Sequence, residues 1–246
     1  MTRRLVTAVL ASAVLGGFTP LPDGLAAPTV RPDVAPSGPV LTIARLQYDG
    51  GGDWYANPSS LPNLLAAINA RTTMHVAREE ARVTPLDARL TDYPFLHATG
   101  HGTIRFSDEE AARLREYLLG GGFLHVDDNY GLDASFRVAV KKIFPDRELV
   151  DVPRSHPIYH IVYEMPNGIP KIHEHDGKPA RGLGIFVGDR LVLYYSYESD
   201  LGNGWEDPAT YGDPPALHEA ALRMGVNLFV YAVTSRADDA APRATR

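Results

Sequence analysis

The chain has 246 residues, 44% hydrophobic and 22% charged, with net charge -6 and a sequence pI of about 5.8. That suits one domain with a full core plus tails, or at most two small domains. The acidic balance offers no basic field for nucleic acid or anionic lipid. The absence of cysteine excludes disulfides, thiolate metal ligands, a lipobox and a cysteine nucleophile.

In chain order, Arg3 and Arg4 precede an apolar run from Leu5 to Phe18, and small residues follow at Leu25-Ala26-Ala27. This is the pattern of a secretory signal peptide, 1–27, cut near Ala27, so the mature chain is expected in the periplasm or outside the cell. A retained anchor is the alternative, but the run is short and Gly16, Gly17 and Pro20 interrupt its end. No membrane span is expected in the mature chain. Residues 28–39 are proline-rich without periodicity and read as a linker.

The β-rich run Val40 to Tyr48 predicts a first strand, followed by a glycine loop, Asp49 to Asp53. Leu61, Leu64, Leu65 and Ile68 predict a helix over 60–71, with Ser59 or Ser60 as its cap. Met74 to Ala77 reads as a strand, and Val83 to Leu86 as a weaker one. Tyr93 to Ala98 suits a strand buried on both faces. Ser107 and Glu110 form a capping box for a helix that Gly120-Gly121-Gly122 ends, and Phe123 to Asp127 is the next strand. Together these make a parallel crossover whose strands end at one edge of the sheet, where ligands of open α/β sheets bind.

Ser135 to Phe144 reads as a helix stopped by Pro145, and Leu149 to Val152 as a short strand. Residues 156–178 are irregular. Gly182 to Ser196 predicts a hairpin turning at Gly188-Asp189, which would add antiparallel strands at one edge. A loop to Pro215, a final helix over 216–233 and a disordered tail over 235–246 complete the chain. No internal repeat is visible. Alternating strands and helices argue for an α/β layer fold over 40–234.

Several phrases carry a family resemblance. They include Asp53-Trp54, Tyr93-Pro94-Phe95-Leu96, Thr99-Gly100-His101-Gly102, Leu114-Arg115-Glu116-Tyr117-Leu118 and Gly121-Gly122-Phe123-Leu124. Asp127-Asp128, His156-Pro157-Ile158-Tyr159, Asp200-Leu201-Gly202, Gly204-Trp205-Glu206 and Met224-Gly225-Val226-Asn227 complete the set. Over residues 40 to 234 the chain resembles a bacterial domain-of-unknown-function family, sometimes fused to or encoded beside von Willebrand A and MoxR-type ATPase proteins. The resemblance implies a class I glutamine amidotransferase-like, flavodoxin-related fold near the trehalose-utilisation-type domains. Such a fold is a three-layer, mostly parallel sheet flanked by helices. It also places Asp128 approximately where active amidotransferases carry the nucleophilic cysteine, and Thr99 to Gly102 where they form an oxyanion loop. Glutaminase chemistry is excluded without cysteine, and envelope protein partners become an expectation.

Asp127 and Asp128 leave a buried strand, where adjacent carboxylates need a cation, a sugar hydroxyl or a helix N-terminus. Catalysis and metal binding compete there with plain capping of the next loop and helix. His101 between Gly100 and Gly102 suits either a ligand loop or a tight turn, and Asn129 adds a polar group. His125 reads as a core histidine. Neither glycine cluster matches a P-loop, and no GxSxG or HExxH occurs. His173-Glu174-His175 offers alternate positions without a helix. A divalent metal would need distant loops, with His156 joining Asp127 and Asp128.

The segment 195–212 interleaves Tyr197, Trp205 and Tyr211 with Glu198, Asp200, Glu206 and Asp207. It suits carbohydrate, with Trp205 stacking and Asp200 accepting hydroxyls. It also suits a glycan or cell-wall hydrolase with Glu206 and Asp128 as acid and base. The alternative packs Trp205 over the core. The leading expectation is an exported module binding a small molecule, carbohydrate or protein partner at this crevice.

Overall fold

The computed structural model describes residues 40–240, with side chains to 235. The expected signal peptide, the linker and the last residues of the expected tail lie outside the described residues. The strands are β1 (Ile43–Leu46), β2 (Ala81–Val83), β3 (Phe95–Ala98), β4 (Phe123–Asp127), β5 (Val150–Asp151), β6 (Arg181–Val187) and β7 (Arg190–Tyr197). The helices are α1 (Ser60–Arg71), α2 (Asp108–Leu119), α3 (Asp133–Ile143), α4 (Leu201–Trp205), α5 (Pro208–Tyr211) and α6 (Pro215–Ala240).

Every residue of β1, β3, β4 and β7 is buried. Strands of that kind belong in the middle of a sheet covered on both faces. They form a seven-stranded sheet in the order β2-β1-β3-β4-β7-β6-β5. The first five positions are mutually parallel, β6 runs antiparallel to them, and β5 runs antiparallel to β6. The period of two sorts the strand residues between two cores. Ile43, Phe95 and Phe123 pack with Leu61, Leu64, Trp205 and Phe229, from α1, α4 and α6. Ala44, Leu96 and Leu124 pack with Leu114, Leu118 and Phe136, from α2 and α3. This is the expected α/β layering with a mostly parallel sheet.

The hairpin forms with antiparallel strands as expected, but its position differs. Its turn is at Gly188-Asp189, but β7 lies inside the sheet, parallel to β4, and β5 takes the edge. The physical reason is that all eight residues of β7 are buried, so it needs a neighbour on each side. The second strand is also displaced. Only Val76 of the expected 74–77 strand makes a bridge, to Leu41. The Asn69 side chain binds Val76 at both backbone groups, its Oδ1 accepting at 3.0 Å and its Nδ2 donating at 3.0 Å. A local amide thereby takes the bonds that a ladder would use. The expected loop before residue 215 contains α4 and α5, and α6 runs on through Ala240 into the expected tail.

The capping box of α2 forms as the sequence predicts, with Ser107 and Glu110 exchanging bonds of 3.1 and 2.7 Å. Neither Ser59 nor Ser60 caps α1 with its own side chain to the helix backbone. Among the described residues no helix is long and apolar enough to cross a membrane.

Candidate functional site

The five parallel strands end at one edge, and the segments that follow β1 and β3 are zipped together. Arg105 N donates to Asp49 O at 2.7 Å, and Gly52 N to Thr103 O at 2.9 Å. Glycine is required for this closeness: at Gly50 (φ +117°) a Cβ would stand 2.6 Å from Thr103 O, and at Gly100 (φ +142°) 2.3 Å from Tyr48 Oη. Of the expected ligand loop Gly100, His101 and Gly102, two N–H groups already have protein partners. The His101 N–H and Nδ1 engage the Asp53 carboxylate, and Gly102 N donates to Tyr130 O at 3.3 Å. These N–H groups are spent on holding segments together.

Asp127 is also a connector. It is fully buried and accepts from Ser196 Oγ, from Leu201 N at 3.0 Å and from Gly202 N at 2.6 Å, fastening α4 to β4. Burial, and then repulsion from Asp200, pushes it up to about 7 against those three bonds. Behind it runs a buried chain: Ser196 Oγ to His125 Nε2 at 2.9 Å, then His125 Nδ1 to His97 Nδ1 at 3.0 Å. Burial holds both imidazoles far below their usual range, His125 near about 3. His125 is thus a core histidine with both ring nitrogens partnered.

Other nominated residues serve the scaffold. Trp205 is fully buried, its Nε1 donates to Ala221 O at 2.8 Å, and its ring packs on His97 and His125. Its face is closed to any sugar. Both Glu206 oxygens are taken, Oε1 by Ser59 N at 2.9 Å and Ser60 N at 3.0 Å, Oε2 by Ser59 Oγ at 2.9 Å. Glu206 caps α1 from across the sequence, which removes it as the acid or base of a hydrolase. His156 stands at the other end of the sheet. Its ring meets Phe186 and Tyr231 near the start of β7, whereas Asp127 pairs with Ser196 near that strand's end. The expected set of Asp127, Asp128 and His156 is not brought together. Among the described residues no group of three or more His, Asp or Glu is arranged to hold a metal ion.

Asp128 is placed differently. It is buried at the end of β4 and lines a pocket of ≈ 190 Å³ with Tyr130, His175, Lys178, Tyr197 and Glu198. Its Oδ2 accepts from Glu198 N at 3.3 Å, while its Oδ1 is buried without a partner. Burial pushes this carboxyl up to about 6, against the Glu198 N–H and the His175 charge. The far wall is a strap, residues 171–178, tied to the segment after β7. Glu198 Oε2 accepts from Lys171 Nζ at 3.1 Å and Asp176 N at 3.3 Å. Asp200 Oδ2 meets His173 Nδ1 at 3.0 Å, His175 Nε2 at 3.3 Å and the Asn203 amide. His173 reaches on to Asp213 with its Nε2 at 2.9 Å.

The bond to Asp200 raises both histidines, His173 to about 9 with help from Asp213 and against burial. Burial pushes Asp200 up, but the two histidines outweigh it and hold the carboxyl below its usual value. Asp200 therefore sets the wall of the pocket and does not itself line it.

Two further signs mark this edge. Asn57, Glu198 and Asp200 are the non-glycine residues of positive φ among those described, each a conformation costing about 1–3 kcal/mol that persists where its surroundings enforce it. Buried polar atoms without partners gather here too: Asn57 Nδ2, Asp128 Oδ1, Asn129 Nδ2, Asp200 Oδ1 and Asn203 Oδ1. Such orphans are uncommon in folded proteins and call for a ligand, water or strain as explanation. Asn129 itself accepts from Thr99 Oγ1 at 3.1 Å. Sequence reasoning noted the alternation of His173 and His175 without giving either a partner, and it passed over Tyr130, Asp133 and Lys178. The visible signal was the histidine pair inside a proline-broken stretch.

A search of curated proteins found no match. A family model described as "Domain of unknown function (DUF4159)" matches residues 42–233, from the start of the sheet into α6. With most of the chain matched, the protein belongs to the DUF4159 family.

Proposed function

We propose that this chain is an exported binding module of amidotransferase-like, flavodoxin-related architecture that holds a small polar ligand between the ends of β4 and β7. Arg3, Arg4 and the apolar run after them support export. The order β2-β1-β3-β4-β7 supports the architecture, since doubly wound sheets reverse direction beside their first strand and bind ligands at the carboxyl edge. In this chain the zipped segments fill the edge between β1 and β3, and the open space lies further along, at β4 and β7. The observation that carries the reading is the Asp128 carboxylate, buried against the pocket with Oδ1 unpartnered. Binding is favoured over hydrolysis because Glu206, the nominated partner carboxylate, is committed to α1.

The test is a ¹H–¹⁵N titration of the full chain with a mixed library of sugars, amino acids, amines and carboxylic acids. Saturable shifts centred on 128–134, 175–178 and 197–198, lost in Asp128→Ala, are expected. Shifts centred elsewhere, or unchanged in Asp128→Ala, would overturn the reading.

A further inference from the structure

The charges around the pocket are numerous, but most are already matched. Asp133 pairs with Arg137 at 2.9 Å and accepts from Tyr195 Oη at 3.1 Å. Asp176 faces Lys178 at 3.6 Å, and Glu198 is held by Lys171 and the Asp176 N–H. Asp128 Oδ1 is left without a partner, and His175, whose Nε2 meets Asp200, has an Nδ1 that makes no hydrogen bond to another described residue and donates when the ring is protonated. No ion pair joins Asp128 to His175 among the described residues, and both side chains line the pocket. Over it stands Tyr130, 58% exposed, its ring edge-on to His175 at 5.9 Å.

We infer that the ligand is a saccharide unit whose hydroxyl groups lie between Asp128 and His175 and whose ring packs on Tyr130. The inference rests on the binding reading above. Hydroxyls both donate and accept, so one ring bearing adjacent hydroxyls answers a carboxylate and an imidazole together. A phosphate or carboxylate ligand would face Asp128, Asp133, Asp176 and Glu198. A simple amine would satisfy Asp128 but would face His175, whose bond to Asp200 favours the protonated ring. A volume of ≈ 190 Å³ lies below the roughly 300–1,000 Å³ of drug-sized sites and suits a single ring. The aromatic face and polar walls are the usual division of labour for a sugar.

The experiment is saturation-transfer NMR on the full chain with glucose, galactose and N-acetylglucosamine, with ethanolamine and inorganic phosphate run alongside. Saturable transfer to the ring protons of a sugar is expected, with affinity about tenfold weaker in Tyr130→Ala and lost in His175→Ala. Tyr130 is largely exposed, so its substitution tests contact without threatening the fold. Sugar binding unchanged in both variants would overturn the placement. Ethanolamine or phosphate bound in place of sugar, or no sugar bound at all, would overturn the ligand class. The library titration decides separately whether the pocket binds anything.

Discussion

Glu206 and Asp128 both sit where an element leaves the carboxyl edge of the sheet, and both are nearly inaccessible to solvent. Glu206 has found three donors, all at the start of α1, and its oxygens have nothing left to offer. Asp128 has found one backbone donor at 3.3 Å and help from the Tyr195 hydroxyl, and keeps Oδ1 empty beside a pocket. A buried carboxylate costs several kcal/mol unless it is paired. At the α1 junction that cost is offset by capping, whereas in the pocket it is carried by folding and is available to a ligand. The contrast teaches that burial and charge alone do not identify a site; the count of satisfied bonds does.

The largest blow to this contrast would come from Glu206→Ala. It strands the Ser59 and Ser60 N–H groups inside the protein, and the expected loss is about 3 kcal/mol in urea unfolding, with pocket binding retained. A change under about 1 kcal/mol would place Glu206 outside the scaffold.

A smaller effect is expected from the strap. His173 has a raised folded-state pKa, so its stabilising contribution is complete below its unfolded value of 6.5 and is lost as pH rises through about 9. Thermal unfolding of the full chain should show Tm falling across that window, and His173→Gln should flatten the fall. An equal slope in the variant would assign the titration elsewhere.

The smallest stability effect belongs to Asp128. Its folded-state pKa is raised from 3.8 to about 6, so the ionised form weakens the fold above that pH and the penalty fades as pH drops. Asp128→Asn should leave stability within about 1 kcal/mol of the parent at pH 8, or raise it. A loss comparable to that of Glu206→Ala would make Asp128 another structural cap and dissolve the comparison.

Much of the framework was legible in the chain. The capping box of α2 spans three residues, the strand Phe123–Asp127 follows a glycine stop, and the turn at Gly188-Asp189 joins two β-rich runs; all are local signals. The second strand was misplaced because Asn69, seven residues before Val76, satisfies the backbone there. That competition leaves no mark on β-propensity. For Trp205 the sequence left a ligand role and core packing both open, and α4 carries it into the core beside His97 and His125.

By itself, the sequence determined the layered α/β elements, the edge at which the 93–131 crossover ends, and the exclusion of thiol chemistry. Only the tertiary structure decided which carboxylates are spent. Asp127 meets Gly202 across 75 positions, Ser59 meets Glu206 across 147, and His175 meets Asp200 across 25. Hydrogen-bond satisfaction is a property of atoms within about 3 Å of one another, and no local pattern records which distant atoms those are.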